Sequence, residues 1–412
     1  MTGRGTSLPF LFFFLFFFLF PVRGPAGETA PSPAGEAAVL MDARNGQVLY
    51  AKNMHKRMYP ASTTKILTAL LALEKGNLDE LVTVPEEACR AGGSAIGLQA
   101  GERLTLRDLL YALLLASAND AAVAIADHLA GSVENFSGLM NEKASSLGAA
   151  DSHFTNPHGL PDPGHYTSAY DLALIARRAM QNPTFREMVK TRLKVISRPE
   201  ADRSKGPPQE HLWNHNRLLE RYQDATGIKT GYTVEAGQCL VASAQRDQRE
   251  LIAVVLNCQG EAVFEAARQL LDYGFNNFFP ARVVKKGEKV ASVEVAGGEP
   301  GEVDLLTGSD FWYNFPQGST PNLTRRLQIA QKVQAPLPAG QKAGQLLIYD
   351  GEQKVGAVDL VAARAVERAP GRSWLFWLAG AALLFFYLRT RTVNRRKQYL
   401  QRRLSRRIGI RD

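Results

Sequence analysis

Cysteine is scarce in this 412-residue chain. Cys89, Cys239 and Cys258 form an odd, scattered set with no C-x-x-C pair. Neither a disulfide framework nor a thiolate zinc site is indicated, and the expected role is apolar filler, with one disulfide left open. Excess charge is missing from the body as well. Lys and Arg number 49 against 40 Asp and Glu, but ten of the bases and only one acid, Asp412, fall in residues 389–412. The remainder holds 39 of each sign. A near-neutral body argues against nucleic acid as a partner. There is no repeat of fixed period, and no metal or cofactor is expected.

Long hydrophobic runs are absent from the middle and present at both ends. Residues 10–20 are an unbroken Phe/Leu run behind Arg4. That pattern reads as a signal peptide over residues 1–26, followed by a Pro/Ala/Gly-rich linker at 27–35. The second run, 374–388, lies between Arg372 and Arg389, with Trp374 and Trp377 at one end and Tyr387 at the other. It has no polar face, so a membrane anchor is expected there, preceded by a linker at 368–373. The basic residues 389–412 then read as a cytoplasmic tail by the positive-inside rule. The expected location is the cell membrane, with the body outside and membrane lipid as a partner.

Two domains lie between the ends. Residues 37–41 and 47–51 flank Asn45-Gly46, which predicts a β-hairpin. A helix is expected from Ser62 to Lys75, with Leu67, Leu70, Leu71 and Ala72 inward and Gly76 as its stop. Residues 104–116 and 119–130 predict two apolar helices broken at Ser117-Ala118. Residues 133–147 and 168–181 predict two more. Residues 238–244 and 250–257 read as an antiparallel hairpin, with a helix at 262–273 returning over it. One mixed α/β (α+β) domain thus occupies 36–275. Short alternating runs between Gly/Pro turns make 276–367 a small all-β module.

Three short motifs carry the chemistry: Ser62-Thr63-Thr64-Lys65, Ser117-Ala118-Asn119 and Lys229-Thr230-Gly231. Each alone is weak, and each has a structural explanation as a helix cap or an edge-strand residue. Their order, each on a different type of element, reverses that balance. Ser62 and Lys65, three apart at a helix start, share one face. A neutral Lys65 could take the Ser62 proton, and neutrality requires burial or a neighbouring cation such as Lys229. Ser117 and Asn119 offer a proton relay and an amide hold. Lys229 and Thr230 suit a substrate carboxylate, and Gly231 permits close approach of a substrate backbone.

Longer stretches surround these motifs: Tyr59-Pro60-Ala61 before Ser62, Asp120-Ala121 after Asn119, Phe154-Thr155-Asn156-Pro157-His158-Gly159-Leu160, and Gly227-Ile228 with Tyr232-Thr233 around the third motif. With them the chain resembles the serine D-alanyl-D-alanine carboxypeptidases, the low-molecular-mass penicillin-binding proteins, over residues 36–366. The resemblance implies a penicillin-binding/β-lactamase-like transpeptidase fold: an antiparallel sheet with a helical cluster, a small all-β C-terminal domain and a membrane helix. It implies that Ser62, Lys65, Ser117 and Asn119 are catalytic, and that Lys229, Thr230, Gly231, Tyr232 and Thr233 bind substrate. The substrate would be a peptidoglycan stem peptide ending in D-Ala-D-Ala, β-lactams would acylate Ser62, and the backbone N–H groups of Ser62 and Tyr232 would form an oxyanion hole. One departure stands out. Where the family often has a carboxylate-binding arginine, this chain has Asn257-Cys258-Gln259-Gly260, and the sequence names no substitute. A β-lactamase, a transpeptidase and a non-catalytic membrane sensor are the competing readings. For the first, Glu210 and Asn214 have the spacing of a deacylating pair but stand too close to Lys229.

Overall fold

The computed structural model describes residues 30–319, 322–329, 333–369 and 373–408. The signal segment therefore lies outside the described residues, as do parts of both linkers. The chain divides at Ala281/Arg282 into two compact units, with Tyr313–Thr320 returning to the first. Hydrogen bonds fix that return. Asn314 donates from its backbone N–H to Gln47 Oε1 (2.7 Å) and from Nδ2 to Asp42 Oδ2 (3.1 Å).

The first unit is built on a five-stranded antiparallel sheet. Its order is Val48–Lys52, Ala37–Asp42, Arg249–Cys258, Gly237–Arg246, Ala225–Thr233. The central strands read as continuous apolar runs because both sheet faces are covered. Val39, Met41, Ile252 and Val254 face the main helical cluster, while Leu40, Leu251, Ala253 and Val255 face the helix Ala262–Asn277. This is period-2 alternation with two dry sides.

The helix after Ser62 differs from expectation in an informative way. Ala61–Thr64 forms a 3-10 turn and the α-helix begins at Lys65, running to Lys75. Every residue from Lys65 to Ala72 is buried, not only the four leucines and alanine expected inward. A helix apolar all round is a central helix, not a surface one. Around it pack the helices Leu106–Leu114, Asn119–Ala130, Val133–Ser146 and Ala169–Ala179. Of the cysteines, Cys239 and Cys258 are buried but Cys89 is exposed, so the apolar-filler reading fails for Cys89. All three are free thiols.

The second unit is a six-stranded sheet in the order Leu323–Ile329, Lys342–Asp350, Gln353–Ala362, Glu302–Thr307, Lys289–Ala296, Val333–Gln334. Its core is filled from alternating positions such as Val303 and Leu305, Leu346 and Ile348, Val358 and Leu360.

The C-terminal segment needs a correction. The expected 15-residue membrane helix followed by a separate tail is one continuous 36-residue helix, Ser373–Ile408. No helix among the described residues is long and apolar enough to cross a membrane. The physical reason is length. Residues 374–388 rise only about 22 Å at 1.5 Å per residue, against about 30 Å of hydrocarbon, before Arg389 interrupts the run.

Candidate active site

The 3-10 turn presents Ser62 at the floor of a cavity of about 360 Å³, shared with Ser94, Ser117, Thr230, Gly231 and Tyr232. Two non-glycine residues here take left-handed backbone conformations, Ala61 (φ 48°) and Ser117 (φ 61°). Such strain persists only where the surroundings impose it. Close approach by neighbouring backbone does so at Ala61. A Cβ on Gly159 would stand 1.8 Å from the Ala61 carbonyl oxygen. A Cβ on Gly231 would stand 2.8 Å from the Ser62 nitrogen. Gly231 is thus small so that the edge strand Ala225–Thr233 can lie against the nucleophile turn. The crowding in the structure comes from the protein's own backbone.

Beneath the serine lies Lys65, fully buried. Its Nζ has three neighbours: Ser62 Oγ at 2.9 Å, Asn119 Oδ1 at 2.6 Å and the His158 carbonyl at 2.7 Å. Asn119 is pinned the right way round because its Nδ2 donates to the Gly92 carbonyl at 2.5 Å. Two of the three neighbours can therefore only accept, while the third is a hydroxyl that can also donate. A neutral amine has two hydrogens and one lone pair, which matches that set. Burial, and then the Lys229 cation, push Lys65 well below the usual lysine range, against an opposing pull from Asp120. Lys229 is buried too, and burial brings it down to about 7. Its ammonium donates to the Thr230 carbonyl at 3.1 Å. It does not line the cavity, so it acts on Lys65 from below.

Asn119 is not the helix cap that its position suggests. Ala118 occupies that place and Asn119 is the first helical residue, its side chain spent on Lys65 and Gly92. Thr233 stands apart from the cavity, its hydroxyl accepting from the Ala236 N–H at the following turn. Glu210 and Asn214 also lie off the cavity wall. Glu210 accepts from the Arg198 backbone and Asn214 donates to the Val189 and Thr191 carbonyls.

Several site residues were missed from sequence. His158 supplies a carbonyl to Lys65. His165 Nδ1 accepts from the Thr155 N–H, so its proton sits on Nε2 and meets Thr64 Oγ1 at 2.9 Å. Burial lowers both rings, to about 3 for His158 and about 4 for His165, so both are neutral near pH 7. The Asp120 carboxylate accepts from the Ile96, Leu98 and Ala121 N–H groups. Arg198 clamps the same loop from the other side, bonding the Ile96 and Gly97 carbonyls and pairing with Glu102 at 2.8 Å. The matched stretch Phe154–Leu160 and the Asp120 after Asn119 were the available signals for His158 and Asp120. Nothing local marked Arg198.

The family model for D-alanyl-D-alanine carboxypeptidase (Peptidase S11) matches residues 25–260. The chain belongs to that family. A second model, the C-terminal domain of penicillin-binding protein 5, matches residues 278–368. Among D-alanyl-D-alanine carboxypeptidases, DacF of Bacillus subtilis is 36% identical over 325 residues, covering 77% of this chain and 82% of its own. DacD of Escherichia coli is 34% identical over 343 residues, covering 80% and 86%. The crystal structure of penicillin-binding protein 5 from Haemophilus influenzae superposes with a TM-score of 0.70 at 29% identity, covering 83% of this chain and all of that one. The fold is therefore the penicillin-binding one, an antiparallel sheet with helices and an all-β C-terminal domain. A D-Ala-D-Ala carboxypeptidase of this family is a serine hydrolase, in keeping with a nucleophilic serine over a neutralised lysine.

Proposed function

We infer that this serine carboxypeptidase removes the terminal D-alanine from peptidoglycan stem peptides ending in D-Ala-D-Ala, through an acyl-enzyme on Ser62, and that β-lactams acylate the same oxygen. The observation that carries this reading is the three-neighbour set around Lys65, which holds its buried amine 2.9 Å from Ser62 Oγ and leaves room for a lone pair toward that hydroxyl. Lys65 takes the Ser62 proton as Oγ attacks the penultimate D-Ala carbonyl. The developing oxyanion is met by the backbone N–H groups of Ser62 and Tyr232, Gly231 before Tyr232 lying close against the Ser62 nitrogen. The proton passes through the Ser117 hydroxyl to the departing D-alanine nitrogen as the C–N bond breaks. Water then attacks the ester, with Lys65 again accepting the proton. Glu210, the candidate for a β-lactamase base, lies off the cavity wall and accepts from the Arg198 backbone N–H instead. The test is direct. Incubation with a pentapeptide ending in D-Ala-D-Ala should release free D-alanine and leave the tetrapeptide, and a β-lactam mass adduct should map to the peptide containing Ser62. An adduct elsewhere, or a peptide left intact, would sink the assignment.

The second part of the reading is location. The catalytic unit works outside the cell membrane, where cross-linkable peptidoglycan is found, exported by the segment at 10–20. The apolar residues 374–388 enter the bilayer, Arg389 snorkels at the end of the run, and local thinning makes up the missing length. The basic remainder of the helix contacts anionic headgroups on the inner side. A cysteine placed at Ser405, in a background without the three native thiols, should resist a membrane-impermeant thiol reagent in intact cells. Labelling there would put the basic segment on the outer face as an interfacial helix.

A further inference from the structure

A peptide that leaves as D-alanine carries a carboxylate, and a carboxylate entering the cavity needs a cation. Of the residues that line it, His215 and Arg217 carry basic nitrogen, while Lys65, engaged with Ser62, and Lys229 lie behind the wall. His215 lines the cavity, but burial and the two lysines bring its ring down to about 4, so it is neutral near pH 7. Lys229 lies under the wall with its ammonium turned to the Thr230 carbonyl. Arg217 lines the cavity as a guanidinium with its side chain 58% exposed. It shares the wall with Thr230, Gly260, Glu261 and Phe264, and Gly260 to Phe264 form the approach to the helix Ala262–Asn277 and its first turn.

We propose that Arg217 is the carboxylate receptor of this active site, released to the substrate by exchange at Glu261. The arrangement around Glu261 is what makes exchange inexpensive. Its carboxylate accepts from Arg217 Nη1 and, at 2.8 Å, from Arg221 Nη2. Arg221 also sits over the Phe264 ring, 5.5 Å from its centroid. Arg221 is thus held twice. If Arg217 swings from Glu261 to a substrate carboxylate, Glu261 keeps one guanidinium and no charge is stranded. Exposed ion pairs of this kind are weak and easily traded. A guanidinium presents forked donors that suit a carboxylate in two bonds at once. Thr230, on the same wall, adds a hydroxyl.

The proposal rests on the carboxypeptidase reading above, and its test keeps the two apart. Two thioester acyl donors with the same D-alanyl acyl part are compared, one with a leaving group ending in a free carboxylate and the other with that carboxylate methylated. Both give the same acyl-enzyme on Ser62. In Arg217→Gln, kcat/KM for the carboxylate-bearing donor should fall about 10- to 100-fold, the scale of a hydrogen-bonded charge. The methylated donor and the deacylation rate should stay at wild-type values. Arg217→Lys should restore part of the loss. Glu261→Gln, which loosens the hold on Arg217, should lower KM for the carboxylate-bearing donor only. An equal loss for both donors in Arg217→Gln would mean a structural role and overturn the proposal, as would no loss for either. If neither donor acylates Ser62 in the wild-type protein, the carboxypeptidase reading itself has failed.

Discussion

Replacing Lys65 by arginine should slow acylation of Ser62 by a β-lactam about 10²–10⁴-fold, the usual cost of losing a general base. Arginine is of similar length but does not give up its proton at accessible pH. The three-neighbour set then turns against the reaction. Asn119 Oδ1 and the His158 carbonyl still accept, but no lone pair remains for the Ser62 proton. The pH dependence follows in sign from the same geometry. Burial and Lys229 hold Lys65 well below the ordinary lysine range, so the base form persists to lower pH than in a free lysine. It is lost as pH falls through its lowered value, and wild-type acylation should therefore decline on the acid side. Stopped-flow acylation with a chromogenic β-lactam, beside a denaturation curve to show that the variant is folded, measures both. Near-normal acylation by Lys65→Arg would mean that the Ser62 proton goes elsewhere.

Arg198→Met should destabilise the protein by about 3–5 kcal/mol, the range for breaking a buried ion pair by removing one partner. Arg198 and Glu102 are both essentially inaccessible to solvent, at 0% and 1% of side-chain surface. The guanidinium satisfies the Glu102 carboxylate and two backbone carbonyls at once. Methionine fills the space and strands all three acceptors. For a unit of this size the midpoint of thermal unfolding should fall by roughly 6–20 °C. The double variant Arg198→Met/Glu102→Leu should recover part of the loss, because it removes the stranded charge and leaves the two carbonyls and the Gln99 N–H that Glu102 had accepted from. A single variant within about 1 kcal/mol of wild type would show that the pair is not holding the loop. Acylation is also expected to suffer, since Ser94 on the cavity wall belongs to the same loop and its carbonyl accepts from the Asn119 N–H at 2.7 Å.

The strands and helices of the catalytic unit were legible because their physics is local. The Asn45-Gly46 turn, the break at Ser117 and the apolar run after Lys65 each sit within a few residues of the element they define. Ser62 and Lys65 could be placed on one face by spacing alone, and their 2.9 Å contact follows. Residues that join the site through the fold were not legible. Arg198 is an unremarkable arginine until a loop about a hundred positions earlier folds onto it. Arg217 lies between two asparagine-rich and leucine-rich stretches with no motif, and only the cavity wall shows where it points. Lys229 was read from sequence as a cation suited to a substrate carboxylate, and its burial was not legible from an edge-strand position. The C-terminal run differs for another reason: residue type marks an apolar run well, but whether its length suffices to cross depends on the bilayer.

The first strand of the sheet pairs with the last, Ala37 opposite Leu256 and Asp42 opposite Leu251, and the motif strand is placed only through that closed order. The motif strand is therefore brought to the nucleophile turn along with the longest-range strand pairing of the unit, the kind of contact that forms slowly. A partly folded chain has the serine and the lysine, but it lacks the Gly231 strand against Ser62 and the neutralised amine beneath it. A fluorescent β-lactam would thus mark only molecules whose sheet has closed. The rate at which labelling capacity appears after dilution from denaturant is a clock for sheet closure, readable on a gel.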